Sequence, residues 1–352
     1  MQYDMHYYGT YAMAAAAGIP PEDAQVIATC AQFVDDQNVT SWVVTRSGAG
    51  ILGVATAHHP FEAGVRTFFG DSESNDTRPV WVPFHFLPGA EGSSFAEKMV
   101  CRKNSAVAQR MMEFYLAPAT VEAHRDHMLH LMGIAAHVYA DTFSHYGFSG
   151  LSSEVNQIIP ASITLDETHS EGILAYIQSA TDAFTARFAQ AAKLGHGAVL
   201  TNPDRPYLRW SFQYADGSTS VRSNPDTFEE ACASLYQRFT EFARCYYGDA
   251  SRPAATWEQL QPAVRRVLAT EAPAQGRIAA WMDAMRAGEL GPVTPCADYS
   301  AEAWLDQVRH FKDAENVQGF EKTHPFLFLT AADYHRSFVL KRLLPQWGLV
   351  VA

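Results

Sequence analysis

Histidine and aspartate side chains recur at helical spacing in one mostly apolar segment of the chain. Residues 124–145 include five of the 14 histidines in the sequence. At about 100° per residue, His137, Asp141 and His145 are offset by about 40° per step, so they form one stripe along a helix. Imidazole nitrogens and carboxylate oxygens are zinc ligands. The stripe predicts a metal site; a core helix whose histidines bond to backbone carbonyls is the alternative.

Further ligand candidates stand elsewhere in the chain, and each taken singly is more typical of a surface or hydrogen-bonded side chain. The pair Asp35-Asp36 ends a predicted helix, where negative charge opposes the helix dipole. Acidic residues placed against this preference indicate that Asp35 or Asp36 has a functional role. The remaining candidates lie near the start of the chain, in an aromatic run and between two glycines: Asp4, His6, His85 and His196.

The order of these residues resembles that of the zinc-dependent phospholipase C and S1/P1 nuclease superfamily, over residues 1 to about 205. The closest local match is the small-residue helix before the His-x3-Asp motif, residues 133–141. The matching positions are His6, Asp35 (or Asp36), His85, His137, Asp141, His145 and His196, with Asp204 as the candidate final carboxylate.

The resemblance implies a mainly α fold, a multi-helix domain of the phospholipase C and P1 nuclease type, with two or three zinc ions. Other divalent metals are alternatives. The implied ligand sets, one for each ion, are His85, His137 and Asp141; His145 and His196; and Asp141 with His6. Asp35 or Asp36 is expected to orient or deprotonate the attacking water.

The chain departs from the superfamily at its first residues. The superfamily uses an N-terminal tryptophan as a zinc ligand, whereas this sequence starts Met1-Gln2-Tyr3-Asp4. Either Asp4 substitutes for that ligand or the cluster holds two ions. These differences indicate a closer kinship to an uncharacterised bacterial branch, which leaves the substrate undefined.

Two functions of different classes follow. The first is a metal-dependent hydrolase, with zinc the expected metal, acting on a small phosphate ester or phosphodiester. The second is a helical binding or regulatory protein that retains the metal-site scaffold without turnover. The sequence leaves the oligomeric state open.

Composition narrows the partners of the chain. The 352 residues are 47% hydrophobic and carry a formal net charge of −12. That charge argues against binding of a long nucleic acid, because phosphate backbones attract basic surfaces. No apolar run approaches the length of a transmembrane helix. The absence of a signal peptide predicts a cytoplasmic location, with signal-independent export left open.

Most of the chain is expected to be helical and to form one domain, 1–352. Residues 1–205 would be the metal-site core, including a β-containing insertion at about 38–100. Residues 206–352 would supply a β-hairpin and C-terminal helices. Within the insertion, residues 42–45 and 80–86 read as strands, and the glycine-rich run 48–53 reads as a turn rather than a dinucleotide-binding loop.

Overall fold

The computed structural model describes residues 1–38, 42–45, 47–57, 78–151, 153–188, 199, 201–248, 251–313 and 318–351. These parts are mainly helical, with one three-stranded sheet and one two-stranded hairpin. The expectation of a mainly α protein with small β excursions is therefore confirmed. None of the described helices is long and apolar enough to cross a lipid bilayer.

The helices of the first half of the chain deliver most of the candidate site residues. A π-helical turn, Asp4–Gly9, continues directly into the first α-helix. In chain order the α-helices are α1 (Thr10–Ala16), α2 (Pro21–Asp36), α3 (Arg78–Phe84), α4 (Phe95–Lys98), α5 (Ala106–Leu116), α6 (Pro118–Ala123) and α7 (Met128–Ser144).

The described α-helices of the second half complete the core around those of the first. Proline opens two of them, since it is tolerated in the first turn of a helix. They are α8 (Glu171–Phe188), α9 (Asn224–Tyr247), α10 (Trp257–Leu268), α11 (Ala274–Arg286), α12 (Ala301–Asp313) and α13 (His324–Phe338).

The strands form a hairpin and a separate antiparallel sheet. They are β1 (Trp42–Val44), β2 (Gly50–Leu52), β3 (Ile158–Leu165), β4 (Arg209–Tyr214) and β5 (Thr219–Ser223). Only the start of the glycine-rich run lies in the turn before β2, with Gly48 at φ +89°; Gly50–Leu52, expected to be part of that turn, form β2 itself. The one predicted hairpin is confirmed as β4 and β5, and β3 pairs with β4 without having been expected.

The segment 80–86, expected to be a strand, is instead the helix α3 and the turn that ends it. Val80, Val82 and Phe84 alternate as in a strand, but all three are buried, and α3 packs against α7 and α13. Pro79 stands in the first turn, where its fixed φ favours a helix. Burial on more than one side therefore produced an apolar pattern that resembles a strand.

α7 lies at the centre of the helical core. A single helix is expected over residues 119–146, but the structure divides it into α6, a 3-10 turn (Arg125–His127) and α7. The helices α2, α5, α9 and α13 pack around α7. Every residue of α7 except Leu129 is buried, as expected for a helix with apolar contacts on all sides.

Gly133 permits the close approach of α2 to α7. A Cβ at this position would lie 2.4 Å from the carbonyl oxygen of Ile27 and 2.5 Å from Cβ of Cys30. Both distances are far shorter than van der Waals contact. The absence of a side chain at Gly133 therefore sets the spacing between the two helices that carry Asp35 and Asp141.

We expect Gly133→Ala to lower the free energy of unfolding by about 1–3 kcal/mol, because an added methyl group must push α2 away from α7. Gly172→Ala is the matched control, since a Cβ there would meet nothing within 4 Å. It should be neutral or stabilising by up to about 1 kcal/mol. Chemical denaturation of both variants measures the difference, and equal stabilities would show that the helix spacing is not limited at Gly133.

Candidate metal centre

The carboxylate of Asp141 is fully buried and lies among basic nitrogens. Its Oδ1 is 2.6 Å from the amino nitrogen of Met1 and 3.1 Å from Nε2 of His6. The ring of His6, from the π-helical turn, stacks on that of His137 with 3.8 Å between centroids. The start of the chain and the middle of α7 therefore meet at one carboxylate.

The second oxygen of Asp141 faces imidazole nitrogens and has no hydrogen-bond donor among the described residues. Oδ2 lies 3.2 Å from Nε2 of His137, 3.5 Å from Nδ1 of His85 and 3.4 Å from Nδ1 of His145. A buried ionised oxygen without a donor is costly. Positive charge between Oδ2 and these rings would remove that cost.

Backbone carbonyls fix the protonation of two of these rings. Nδ1 of His137 is 2.7 Å from the carbonyl oxygen of Ala31, and Nε2 of His85 is 2.8 Å from that of Thr56. A carbonyl only accepts, so each of these nitrogens carries a proton. In the neutral rings, the remaining nitrogens then face each other as lone pairs at 3.3 Å. Two nitrogens bound to one tetrahedral zinc ion at about 2.0–2.1 Å would be about 3.3 Å apart.

Asp35, at the end of α2, is the most exposed carboxylate of the group. Its side chain is 32% exposed, against 1% for Asp141. Its Oδ1 lies 3.9 Å from both Nδ1 of His85 and Nε2 of His137, and its Oδ2 accepts a hydrogen bond from Gln32. Burial raises the pKa of Asp35, and His137 and His85 partly oppose that rise. Asp35 is therefore suited to exchange a proton with a molecule that enters from solvent.

His145 ends α7 and connects the group to Asp204. Its Nδ1 donates to the carbonyl oxygen of His85 at 3.0 Å, and its Nε2 is 2.9 Å from Oδ1 of Asp204. Burial by itself would lower the pKa of His145, but Asp141 and Asp204 raise it overall. Without a metal ion, Asp141 and Asp204 therefore make the ring easier to protonate than an ordinary histidine.

Positive charge around Asp141 keeps its carboxylate ionised. Burial by itself would raise its pKa, but His145, the Met1 amino group and His137 hold that pKa well below its usual range. Burial also opposes the charge on the Met1 amino group, yet Asp141, Asp204 and Asp35 raise its pKa to about 11. Protons on the basic groups thus balance the negative charge of these carboxylates, and bound metal ions would displace the protons.

Arg222 on β5 braces the end of α7. Its Nη1 donates to the carbonyl oxygen of Ser144 at 3.3 Å, and its Nη2 donates to that of Tyr146. A cation here satisfies carbonyls that the helix leaves unpaired at its C-terminus. The sheet therefore helps to hold Asp141 and His145 in place.

The structure brings most of the predicted site residues together. With the amino group of Met1, we refer to them as the Asp141 cluster. Its side chains are those of His6, Asp35, His85, His137, Asp141, His145 and Asp204.

Two predicted residues are engaged elsewhere, and a third lies outside the described residues. Both carboxylate oxygens of Asp4 bind Arg277, at 2.8 and 2.9 Å, in a buried ion pair. This corrects the expectation that Asp4 supplies a metal ligand. Asp36 accepts a hydrogen bond from the hydroxyl of Tyr299, so Asp35 and not Asp36 is directed at the cluster. His196 lies outside the described residues.

Sequence reasoning missed the amino group of Met1 and the residue that holds the start of the chain. Arg277 bonds to Asp4 and to the side-chain oxygen of Gln2. Asp4 and Gln2 lie 273 and 275 residues from Arg277 along the chain, so no local spacing could have paired them with it. The one available signal was the acid Asp4 in this first segment, since an acid that becomes buried needs a cation.

Two overlapping groups in the cluster could hold a metal ion: His6, Asp35 and His137; and His85, His137 and Asp141. In each group the ligand atoms lie within 4.8 Å of one another. Fold and site together define a mainly helical protein with a buried histidine–aspartate centre. Donors of these types suit zinc and other divalent transition metals.

The chain belongs to a family described as "Family of unknown function (DUF6765)", whose profile matches residues 1–343. The match includes every residue of the Asp141 cluster. No curated protein and no solved structure matches the chain.

We expect Asp141→Asn to abolish stoichiometric zinc binding, because a neutral amide cannot balance the charge that the carboxylate balances. Asp126→Asn is the matched control, since Asp126 is an exposed aspartate just before α7. Elemental analysis after equilibration with zinc and desalting measures the bound metal. Equal zinc content in the two variants would contradict the placement of the site at Asp141.

Zinc affinity should fall as the pH falls, because zinc must displace the proton that the raised pKa of His145 favours. We expect zinc binding to release protons, and to release more of them as the pH falls. Calorimetric titration in two buffers of different ionisation enthalpy counts these protons. An affinity independent of pH, with no proton release, would show that zinc binds away from this ring.

Proposed function

We propose that the protein is a zinc-dependent hydrolase of a phosphate ester or phosphodiester. The observation that carries this proposal is the convergence of two imidazole lone pairs, from His85 and His137, on an unpaired oxygen of buried Asp141. With both rings neutral, Oδ2 of Asp141 has no donor among the described residues. A divalent cation turns the same atoms into a ligand set.

The order of the cluster residues along the chain supports a helical arrangement of the phospholipase C and P1 nuclease type. An early histidine, an aspartate at a helix end, a turn histidine and a His-x3-Asp helix all contribute to one site. The amino group of Met1 lies among these residues. The fold type is part of the same proposal.

The ligand atoms fall into two neighbouring sets. His85, His137 and Asp141 would hold one ion; His6, Asp35 and His137 are an alternative set, because Nε2 of His137 can bind only one ion. His145 adjoins the first set through Asp141, and Asp204 pairs with His145. Bound zinc would polarise a phosphoryl oxygen and lower the pKa of a coordinated water.

Asp35 would act as the general base. Its Oδ1 faces His85 and His137, whereas Gln32 holds its Oδ2. The raised pKa of Asp35 makes it a better proton acceptor than an ordinary carboxylate. Its exposure gives an attacking water a route to this oxygen, so Asp35 would take the proton as that water attacks phosphorus.

Tyr299 would orient Asp35 through the neighbouring residue. Its hydroxyl donates to Asp36, which fixes the last turn of α2 against the segment before α12. Asp35 and Asp36 differ by about 100° around the helix. Anchoring one carboxylate on Tyr299 therefore directs the other towards His85.

A small phosphate-containing substrate fits this site better than a long polyanion. The net charge of −12 repels an extended phosphate backbone, whereas a bound metal would attract one phosphate locally. The ring of Phe86 stacks on that of His145 at 4.9 Å and adds an apolar surface beside the cluster. The substrate we propose therefore has one reacting phosphate and a compact organic group.

The burial of the cluster favours one alternative function. His6, His137 and Asp141 are at most 1% exposed, and only Asp35 among the cluster side chains exceeds 11%. Such a closed site would also suit a non-catalytic binding or regulatory protein with a structural metal. In that case, the protein would retain zinc but turn over no phosphate ester.

We expect Asp35→Asn to lower kcat for bis(p-nitrophenyl) phosphate by about 10²–10⁴-fold, through loss of the general base. Zinc content should fall less than in Asp141→Asn, because Asp35 is the more distant carboxylate. Asp36→Asn is the matched control and should keep most of the activity, since it retains a hydrogen-bonding partner for Tyr299.

Chromogenic assays of zinc-loaded protein, with metal quantified in the same samples, give both readouts. Unchanged activity in Asp35→Asn would remove its role as base. A fully metallated wild type without activity on phospholipid, nucleotide and small diester substrates would favour the binding-protein alternative.

A further inference from the structure

Arg205 carries a buried charge without a carboxylate partner among the described residues. Its side chain belongs to a residue that is only 4% exposed. Three of its guanidinium contacts are bonds to hydroxyls: Nε and Nη2 to Oγ1 of Thr201, at 3.2 and 3.1 Å, and Nη1 to the hydroxyl of Tyr207 at 3.5 Å. The ring of Tyr176 lies 5.1 Å from Cζ.

The other two buried arginines of the described residues have partners that account for their charge. Arg277 forms a bidentate ion pair with Asp4. Arg222 donates to carbonyls at the end of α7, where the helix dipole is negative. Buried charges in proteins are generally paired in one of these ways. Arg205 differs because hydroxyls and a ring provide no negative charge.

The guanidinium of Arg205 retains unused hydrogen-bonding capacity. It has five N–H donors, and the three bonds to Thr201 and Tyr207 leave two without an acceptor among the described residues. Those two belong to Nη1 and Nη2, the edge that grips two oxygens of one anion. Thr201 is exposed and Tyr176 is 40% exposed, so the surroundings of Arg205 border solvent.

We propose that Arg205, with the hydroxyls of Thr201 and Tyr207, binds a phosphate group of a small solute. A tetrahedral oxyanion can accept from both guanidinium nitrogens and from two hydroxyls at once. It would neutralise the one buried arginine, among the described residues, that has no negative partner. The site does not depend on catalysis at the Asp141 cluster.

The position of Arg205 in the chain relates this site to the cluster. Arg205 directly follows Asp204, which pairs with His145 and the Met1 amino group. Consecutive Cα atoms are about 3.8 Å apart. The phosphate bound at Arg205 is therefore either free inorganic phosphate or a second phosphate on the molecule that reacts at the cluster.

The binding test is a calorimetric titration of inorganic phosphate into zinc-loaded protein. We expect Arg205→Gln to lose one phosphate site, or to weaken it at least about tenfold, with zinc content unchanged. Arg209→Gln is the matched control, because Arg209 is exposed and four residues away; it should bind phosphate as the wild type does. Thr201→Ala, at an exposed position, should weaken the same site by a smaller factor.

The two sources of the phosphate are separated by activity measurements. For a substrate-borne phosphate, Arg205→Gln raises KM for a diester with an additional phosphate and leaves KM for bis(p-nitrophenyl) phosphate unchanged. For free phosphate, added phosphate changes the activity of the wild type but not that of the variant.

The binding data alone can contradict the proposed phosphate site at Arg205. Equal phosphate affinity in the wild type, Arg205→Gln and Thr201→Ala would show that Arg205 binds no phosphate. Loss of zinc and phosphate together in Asp141→Asn, with phosphate binding intact in Arg205→Gln, would place all the phosphate at the metal centre.

Discussion

The burial of one ionised carboxylate constrains the rest of the structure. Asp141 is enclosed by α7 and its neighbours, and an isolated charge in such a place would cost more than the net stability of a typical domain. Basic groups must therefore surround it, and several of them come from outside its own helix. The start of the chain supplies Met1 and His6, and the turn after α3 supplies His85. Protons balance the charge of Asp141 in the metal-free protein, and metal ions would balance it in the metal-bound protein.

Backbone positions, as much as side chains, set the geometry of the cluster. The carbonyl of Ala31 lies on α2 one helical turn before Asp35 and fixes the tautomer of His137. The spacing of α2 and α7 therefore controls both the lone pair of His137 and its distance to Asp35. Gly133 permits that spacing. Gly133, which has no side chain, therefore helps to set the geometry of a polar site.

The parts of the site that follow from local periodicity could be predicted from sequence. The stripe of His137, Asp141 and His145 depends only on helical geometry, and the structure aligns these residues as expected. His85 was identified through its place in the chain order, although its segment was assigned to a strand. The error arose because a short helix buried on several sides shows the same apolar alternation as a strand.

Long-range pairing explains what the sequence did not reveal. Arg277 reaches Asp4 across 273 residues, and no local pattern links them. The strand β3 was missed because its pairing with β4 shifts register between Ile159 and Thr164, which interrupts the alternation of buried and exposed residues. The choice between Asp35 and Asp36 likewise needed the position of Tyr299, which lies on a distant segment.

One short turn connects the two charged regions of the molecule. The 3-10 turn Asn202–Asp204 presents Asp204 to the cluster, and the next residue, Arg205, has its guanidinium among hydroxyls and aromatic rings. The side-chain amide of Asn224 donates to the carbonyls of Asn202 and Arg205, at 2.7 and 2.8 Å, and holds both ends of this turn. A rigid turn fixes the separation between the carboxylate that faces the metal centre and the cation that lacks a counter-ion. Any ligand that spans the two must match a distance set by the backbone, so recognition and chemistry would be coupled through this turn without a conformational change.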